Sequence, residues 1–198
     1  MESSINTMSD KRNIFNEKTF IVWLLIIASS MLFLAFISAY WVQKRDAVLN
    51  DAWFFFQLPY QFWMSTGIVL ISGVTMQWAY ISAKKDDVQR VPSLLTITVL
   101  LGVWFFYSQI SGFRALMDMG LFFANTRTSE ISATYVYVFT GAHLVHIIGG
   151  LVLLIVGIVK ASRLEIHKKN LGFISVCKTY WHFLGIVWIL LILFLYFA

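Results

Sequence analysis

The sequence is short of cysteine, proline and charge. It has one cysteine, Cys177, and two prolines, Pro59 and Pro92, and charged residues make up only 13% of its 198 positions. A lone cysteine excludes an internal disulfide and a zinc site built on thiolates. Two prolines and eleven glycines exclude collagen-like and low-complexity chains. Soluble domains carry about 25% charged residues, so this chain has roughly half the usual charge. Its composition is 59% hydrophobic and its mean hydropathy is +0.75. A soluble domain of this size cannot hide that much apolar surface, and a disordered chain would be polar and poor in aromatics. An integral membrane protein remains.

The charges that are present mark the membrane's edges. Five stretches contain no Asp, Glu, Lys or Arg: Thr19–Gln43, Ala52–Ala83, Val91–Phe113, Ile131–Val159 and Thr179–Ala198. A spanning helix needs about 20 apolar residues, so each stretch supplies one. In the second stretch Pro59 starts the spanning part. The reading is all-α and polytopic, with five transmembrane helices at about 20–42, 59–82, 92–114, 132–159 and 179–198, preceded by a polar tail over 1–18. A β-barrel would need segments of about ten residues with alternating polarity; these runs are continuous and twice that length.

Lysine and arginine set the orientation. The N-terminal tail carries Lys11, Arg12 and Lys18, the second loop Lys84, Lys85 and Arg90, and the fourth Lys160, Arg163, Lys168, Lys169 and Lys178. The opposite side has only Lys44, Arg45, Arg114 and Arg127. The positive-inside rule puts the N-terminus in the cytoplasm and the C-terminus in the periplasm. The net charge of +5 therefore reports orientation and not nucleic-acid binding. The tail, with Glu2, Asp10 and Glu17, reads as neither a signal nor a transit peptide, which favours the bacterial plasma (inner) membrane. Tyr40, Trp41, Trp53, Phe54, Phe55, Phe56, Tyr60, Trp78, Tyr80, Tyr180 and Trp181 read as an interfacial aromatic belt.

Membrane proteins that move ions usually carry ionisable groups inside their helices. Here every acid lies in a tail, loop or helix margin, which argues against a pump or channel. The polar residues left inside are His143, His146, His182, Gln109, Gln77 and several Ser and Thr. His143, Gly150 and Gly157 form a seven-residue stripe on the fourth helix, with Thr140 and His146 beside it. Thr98, Gly102, Phe105, Gln109 and Gly112 share a face of the third, and Thr66, Gly73 and Gln77 a face of the second. Small residues and polar groups on one stripe read as helix-packing surfaces. Haem ligation by two histidines is the competing reading. His143 and His146 lie on one helix face and cannot bracket one haem. With the fifth helix starting near Thr179, His182 falls about 15 Å below His146 along the membrane normal, too far for a shared iron. Scattered methionines and the isolated Cys177 support no copper site, and no acid-supported triad exists for hydrolysis. Cys177 reads as an inert residue at the inner membrane edge.

Thr140-Gly-Ala-His-Leu-Val-His-Ile-Ile-Gly-Gly150 resembles the TG-x-H-xx-H-xx-G signature of haem-copper terminal oxidase subunit III, and Tyr180-Trp-His-Phe-Leu-Gly-Ile-Val-Trp188 resembles the family's YWHF-xxx-VW ending. Leu58-Pro59 through Thr66, and Leu101-Gly102 through Gln109, are looser matches in the family's order. Five helices with the N-terminus inside resemble the short bacterial form. The resemblance implies an accessory subunit with no catalytic residue, haem or metal of its own. It would pack against subunit I, contact subunit II, hold structural phospholipids, and support proton uptake and oxygen access in a complex that reduces dioxygen to water and pumps protons. The haem and copper would lie in partner subunits and the electrons come from cytochrome c or a quinol. Subunit IV and a respiratory supercomplex are further partners the resemblance allows. It implies that His143, His146, Gly149, Tyr180, Trp181, His182, Trp188 and Gln109 shape a helix interface or lipid cleft. Arg114, just past the outer end of the third helix, is a candidate partner for a lipid phosphate or an interfacial anchor. Relatives often carry acids where this chain has Ser30, Gly112 and Gly185, so a carboxylate-linked proton role inside this subunit is not expected. A stand-alone small-molecule transporter is the alternative, and the absence of intramembrane charge weighs against it.

Overall fold

A computed structural model describes the backbone of residues 2–49, 58–123 and 131–197, with side chains over the same ranges except 2–18, 47 and 131–132. Trp53, Phe54, Phe55, Phe56, Arg127 and Glu130, and the side chains of Lys11, Arg12 and Lys18, lie outside the described residues.

The chain forms five helices: α1 (Glu2–Leu49), α2 (Tyr60–Lys84), α3 (Arg90–Asp118), α4 (Ile131–Ser162) and α5 (Gly172–Phe197). Each is long and apolar enough to cross a membrane, and no strand occurs among the described residues. α1 is helical from Glu2, well before its apolar part begins at Thr19. Pro59, at φ −53° and ψ 145°, sits just ahead of α2, where its missing N–H costs nothing. α5 starts at Gly172 and not near Thr179. The charge-free criterion cut it short because Lys178 lies inside the helix. Its ammonium rests 4.1 Å from the Tyr80 ring centroid, a cation–π contact that lets a long side chain carry charge along an apolar surface.

Three helix ends share one device. After α2, Asp87 N–H donates to Ser82 and Asp86 N–H to Ala83; after α3, Leu121 donates to Leu116 and Gly120 to Met117; after α4, Glu165 donates to Lys160 and Leu164 to Ala161. These paired bonds satisfy the last carbonyls and require a left-handed residue. Gly120 (φ 80°) fills that place without strain, whereas Asp86 (φ 65°) and Leu164 (φ 58°) adopt it as L-residues.

α2 through α5 form an antiparallel four-helix bundle in which α2 packs on α3 and α5, and α4 on α3 and α5. α1 lies outside it and packs on α4 and α5. Phe36 and Tyr40 of α1 meet Phe139 and Tyr135 of α4 and Phe194 of α5 in edge-on ring contacts, and Phe33 joins the same cluster. The α2–α3 and α4–α5 loops touch, because Lys168 N–H donates to Asp86 Oδ1 at 3.0 Å. That bond puts Lys84, Lys85, Arg163, Lys168 and Lys169 at one end, here termed the basic end. Outward surfaces are apolar, as Leu100, Val103 and Trp104 on α3 and Ile186 and Leu190 on α5 illustrate.

Candidate functional site

Where apolar helices meet in lipid, close approach and polar contacts hold them, because lipid tails offer no hydrophobic contrast. The bundle uses both. Thr75 and Thr98 hydroxyls bond at 2.9 Å between α2 and α3, and Ser108 donates to the Gln61 carbonyl at 3.1 Å. From α5, Trp181 Nε1 donates to Ser72 Oγ at 3.2 Å and Trp188 Nε1 to Thr66 Oγ1 at 3.1 Å, both on α2. Tyr180 donates to the His146 carbonyl at 3.4 Å, and Tyr137 of α4 to the Leu121 carbonyl at 2.8 Å.

Trp181 joins all four helices. Its indole rises from α5 into a slot between Gly102 of α3 and Gly150 of α4, while its N–H reaches α2. A Cβ added at Gly102 would lie 2.9 Å from Trp181 Cη2, and one at Gly150 would lie 3.1 Å from Cζ3. Only glycine leaves room for the ring at both positions. Gly150 is the glycine of close approach in this motif; Gly149, the sequence candidate, faces outward, with only the Tyr180 hydroxyl near it.

The remaining candidates divide. His143 is fully buried, 5.2 Å from the Trp188 ring and 5.9 Å from Phe105. Gln109 is also fully buried. His146 is half-buried, 5.6 Å from Phe33 of α1, with Nδ1 bonded to the Ala142 carbonyl at 2.8 Å. His182 lies on the other side of α5, in a groove of about 380 Å³ with Gly73 and Gln77 of α2 and Gly185. Arg114 is exposed inside α3, one turn before its end and not beyond it.

Two sequence expectations are corrected. Tyr180 and Trp181 belong to the buried core, 3% and 6% exposed, and not to an interfacial belt; the misplacement follows from the earlier start of α5. Tyr40 is likewise buried, under α4 and α5. The supposed 15 Å depth gap between His146 and His182 also goes. Tyr180 bonds at His146 and Trp181 packs on Gly150, so His182 sits near the level of residues 146–150. Direction separates the two histidines instead, since one faces α1 and the other α2. Among the described residues no group of three or more His, Cys, Asp or Glu could hold a metal ion.

The positions the resemblance marked for acids are taken up by other contacts. A Cβ at Gly112 would meet the Phe62 ring at 2.9 Å, one at Gly185 would meet Val69 at 3.2 Å, and Ser30 bonds back to the Ile26 carbonyl at 2.8 Å. At the basic end, Ile21 and Val22 of α1 and Phe173 of α5 line a cavity of about 250 Å³, which also takes in Lys160, Glu165 and Asn170. The Lys160 ammonium bonds Glu165 at 2.7 Å and holds its carboxyl below the ordinary value of 4.5, helped by the charge of Arg163. Cys177 is buried, with Sγ 3.7 Å from the Leu153 carbonyl.

Sequence reasoning missed the partners Ser72 and Thr75. Both lie off the face it had singled out on α2, Thr75 on the opposite side, and only the register between helices reveals them.

Fold and site together define a polytopic helical membrane protein whose interior polar groups mainly tie helix to helix. The family model described as cytochrome c oxidase subunit III matches residues 5–198. The cytochrome c oxidase subunit 3 of Corynebacterium diphtheriae is 26% identical over 171 residues, covering 84% of this chain and 81% of that protein. That of Thermostichus vulcanus is 31% identical over 136 residues, covering 67% and 63%. That of Artemia franciscana is 30% identical over 133 residues, covering 67% and 49%, so the chain spans about half the length of the longer relatives it matches. The chain belongs to the cytochrome c oxidase subunit III family; it is an accessory subunit of a haem-copper oxidase, an oxidoreductase complex.

Proposed function

We propose that this chain is a non-catalytic scaffold in the plasma membrane of a bacterium, packed against subunit I and contacting subunit II of its oxidase. Haem and copper belong to those partners, and dioxygen reduction and proton pumping occur there. Its N-terminus faces the cytoplasm. The tie between Lys168 and Asp86 supports that orientation, because it gathers the lysines and arginines of two loops at one end. The observation that carries the scaffold reading is the internal bonding of α2–α5. Ser, Thr and Trp polar atoms are spent on neighbouring helices, while the outer surface stays apolar for lipid and neighbouring subunits. His182 and Gln77 shape the α2–α5 groove, and phospholipid chains fill that groove and the cavity beside α1. Arg114 anchors a lipid phosphate at the end opposite the basic end.

Affinity purification of a tagged chain in mild detergent tests this reading. Haem-containing subunits and tightly bound phospholipid are expected with it. Recovery of the chain alone from aerobically respiring cells would count against it.

A further inference from the structure

Between α3 and α4, five buried polar atoms find no hydrogen-bond partner among the described residues: Oε1 and Nε2 of Gln109, Oγ1 of Thr140, and Nδ1 and Nε2 of His143. All three residues are 0–1% exposed. Two contacts fix the register. Phe105 faces His143 with ring centroids 5.9 Å apart, and the Tyr137 hydroxyl lies 3.4 Å from the Phe113 carbonyl. The helices are antiparallel. Gln109, midway between Phe105 and Phe113, therefore comes level with Thr140, midway between His143 and Tyr137. The five atoms occupy one zone of one interface.

The walls of that zone supply no partner. On the α5 side stands Trp188, whose only N–H is engaged by Thr66. On the α1 side stands the Phe33 ring. Phe105 closes one end, and Tyr137 closes the other with its hydroxyl bonded to Leu121. Ser108, next to Gln109 in sequence, donates to Gln61 instead. Buried amides, imidazoles and hydroxyls are normally paired, and leaving them unpaired in an apolar interior is unfavourable. The orphan set mixes donors with acceptors: an amide offers both, a neutral imidazole one of each, a hydroxyl both. A water molecule matches such a set, since buried waters typically make about three hydrogen bonds to otherwise unsatisfied groups.

We propose that Gln109, Thr140 and His143 form a binding site for structural water inside the α3–α4 interface, walled from the lipid by Phe33, Phe105 and Trp188. The site extends the bonding network of the bundle into the α3–α4 interface, between the Phe105–His143 and Tyr137–Phe113 contacts. It does not depend on the chain's place in an oxidase.

The test is a structure of the purified protein, in the assembly in which it is isolated, at a resolution that shows ordered solvent. A solvent peak is expected within about 3.2 Å of the Gln109 amide and of Thr140 Oγ1 or a His143 ring nitrogen. A Gln109 side chain bonded directly to Thr140 or His143, with no peak between, would overturn the proposal. Gln109→Met, similar in length but apolar, should abolish the peak while α3 and α4 keep their positions; an unchanged peak would overturn the role of Gln109. Should that variant fail to accumulate, infrared spectra of the unmodified protein decide. Exchange into H2(18)O is expected to shift an O–H stretching band that survives drying of the film, and absence of any such shift would refute bound internal water.

Discussion

Gly102→Ala adds one methyl group to the slot that holds Trp181. The new carbon would lie 2.8 Å from Leu151 Cδ2 and 2.9 Å from Trp181 Cη2, far inside van der Waals contact. The leucine methyl can swing aside. The indole cannot, because Gly150 of α4 closes its other edge and Ser72 holds its N–H. Overpacking of this kind costs about 1–3 kcal/mol. Replacing glycine by alanine in a helix returns about 1 kcal/mol, so the net loss should be at most about 2 kcal/mol. Trp181→Phe removes the ring edge that the methyl meets and also the bond to Ser72, worth about 0.6 kcal/mol in membrane helices. In that background the same methyl enters the space the ring edge has left, and Gly102→Ala should be neutral or stabilising. The coupling between the two substitutions should therefore exceed about 1 kcal/mol, within the range of contacting residues. Unfolding in mixed dodecyl maltoside and SDS micelles, followed by circular dichroism, measures all four corners of the cycle. Gly67→Ala is the control, since its Cβ would meet nothing within 4 Å, and it should be neutral or stabilising. Equal cost of Gly102→Ala in both backgrounds would refute the slot argument.

Three further outcomes follow from the helix ends and loops at the basic end. Leu164→Gly should stabilise by up to about 1 kcal/mol, because a left-handed leucine costs about 1–2 kcal/mol and glycine gives part of that back as unfolded-state entropy; a lowered thermal midpoint would contradict it. Asp86→Gly keeps the left-handed turn but removes the acceptor for the Lys168 amide, so hydrogen exchange should accelerate at Lys168 and leave the core of α4 unchanged. The lowered Glu165 pKa means that its pairing with Lys160 contributes fully above pH 4.5 and is lost as pH falls through the folded-state value. The difference in unfolding midpoint between the native chain and Glu165→Gln should therefore be flat at neutral pH and shrink on acidification. The effect will be small for so exposed a pair, and a difference that grows in acid would contradict the sign.

The five helices were legible because lipid penalises charge, and a run without Asp, Glu, Lys or Arg is a direct record of that penalty. The same rule misled at α5. A charge-free run measures hydrocarbon, whereas Lys178 lies over the ring of Tyr80 inside a helix that began two turns earlier. That single offset carried Tyr180 and Trp181 to the membrane edge on paper and drove His182 away from His146. The stripes on α3 and α4 were legible as well, since Thr98, Gly102, Phe105, Gln109 and Gly112 are all buried as their spacing required. What spacing within one helix cannot encode is which residue stands opposite on the next. That depends on where each turn sets the following helix, so the match of Trp181 with Ser72, and of Gly102 with Gly150 across one ring, became visible only in three dimensions.

The position of α1 governs the order in which the molecule can be built. Among the described residues its main neighbours are α4 and α5, yet α2, α3 and α4 must all be synthesised before α5 emerges. During translation the α2–α3 hairpin can close as soon as it is inserted, whereas α1 can meet α4 first and completes its contacts only when α5 is in place. The aromatic cluster of Phe33, Tyr40, Phe139 and Phe194 is a late latch. A nascent chain arrested before α5 would hold a formed hairpin and a first helix missing the larger part of its docking surface.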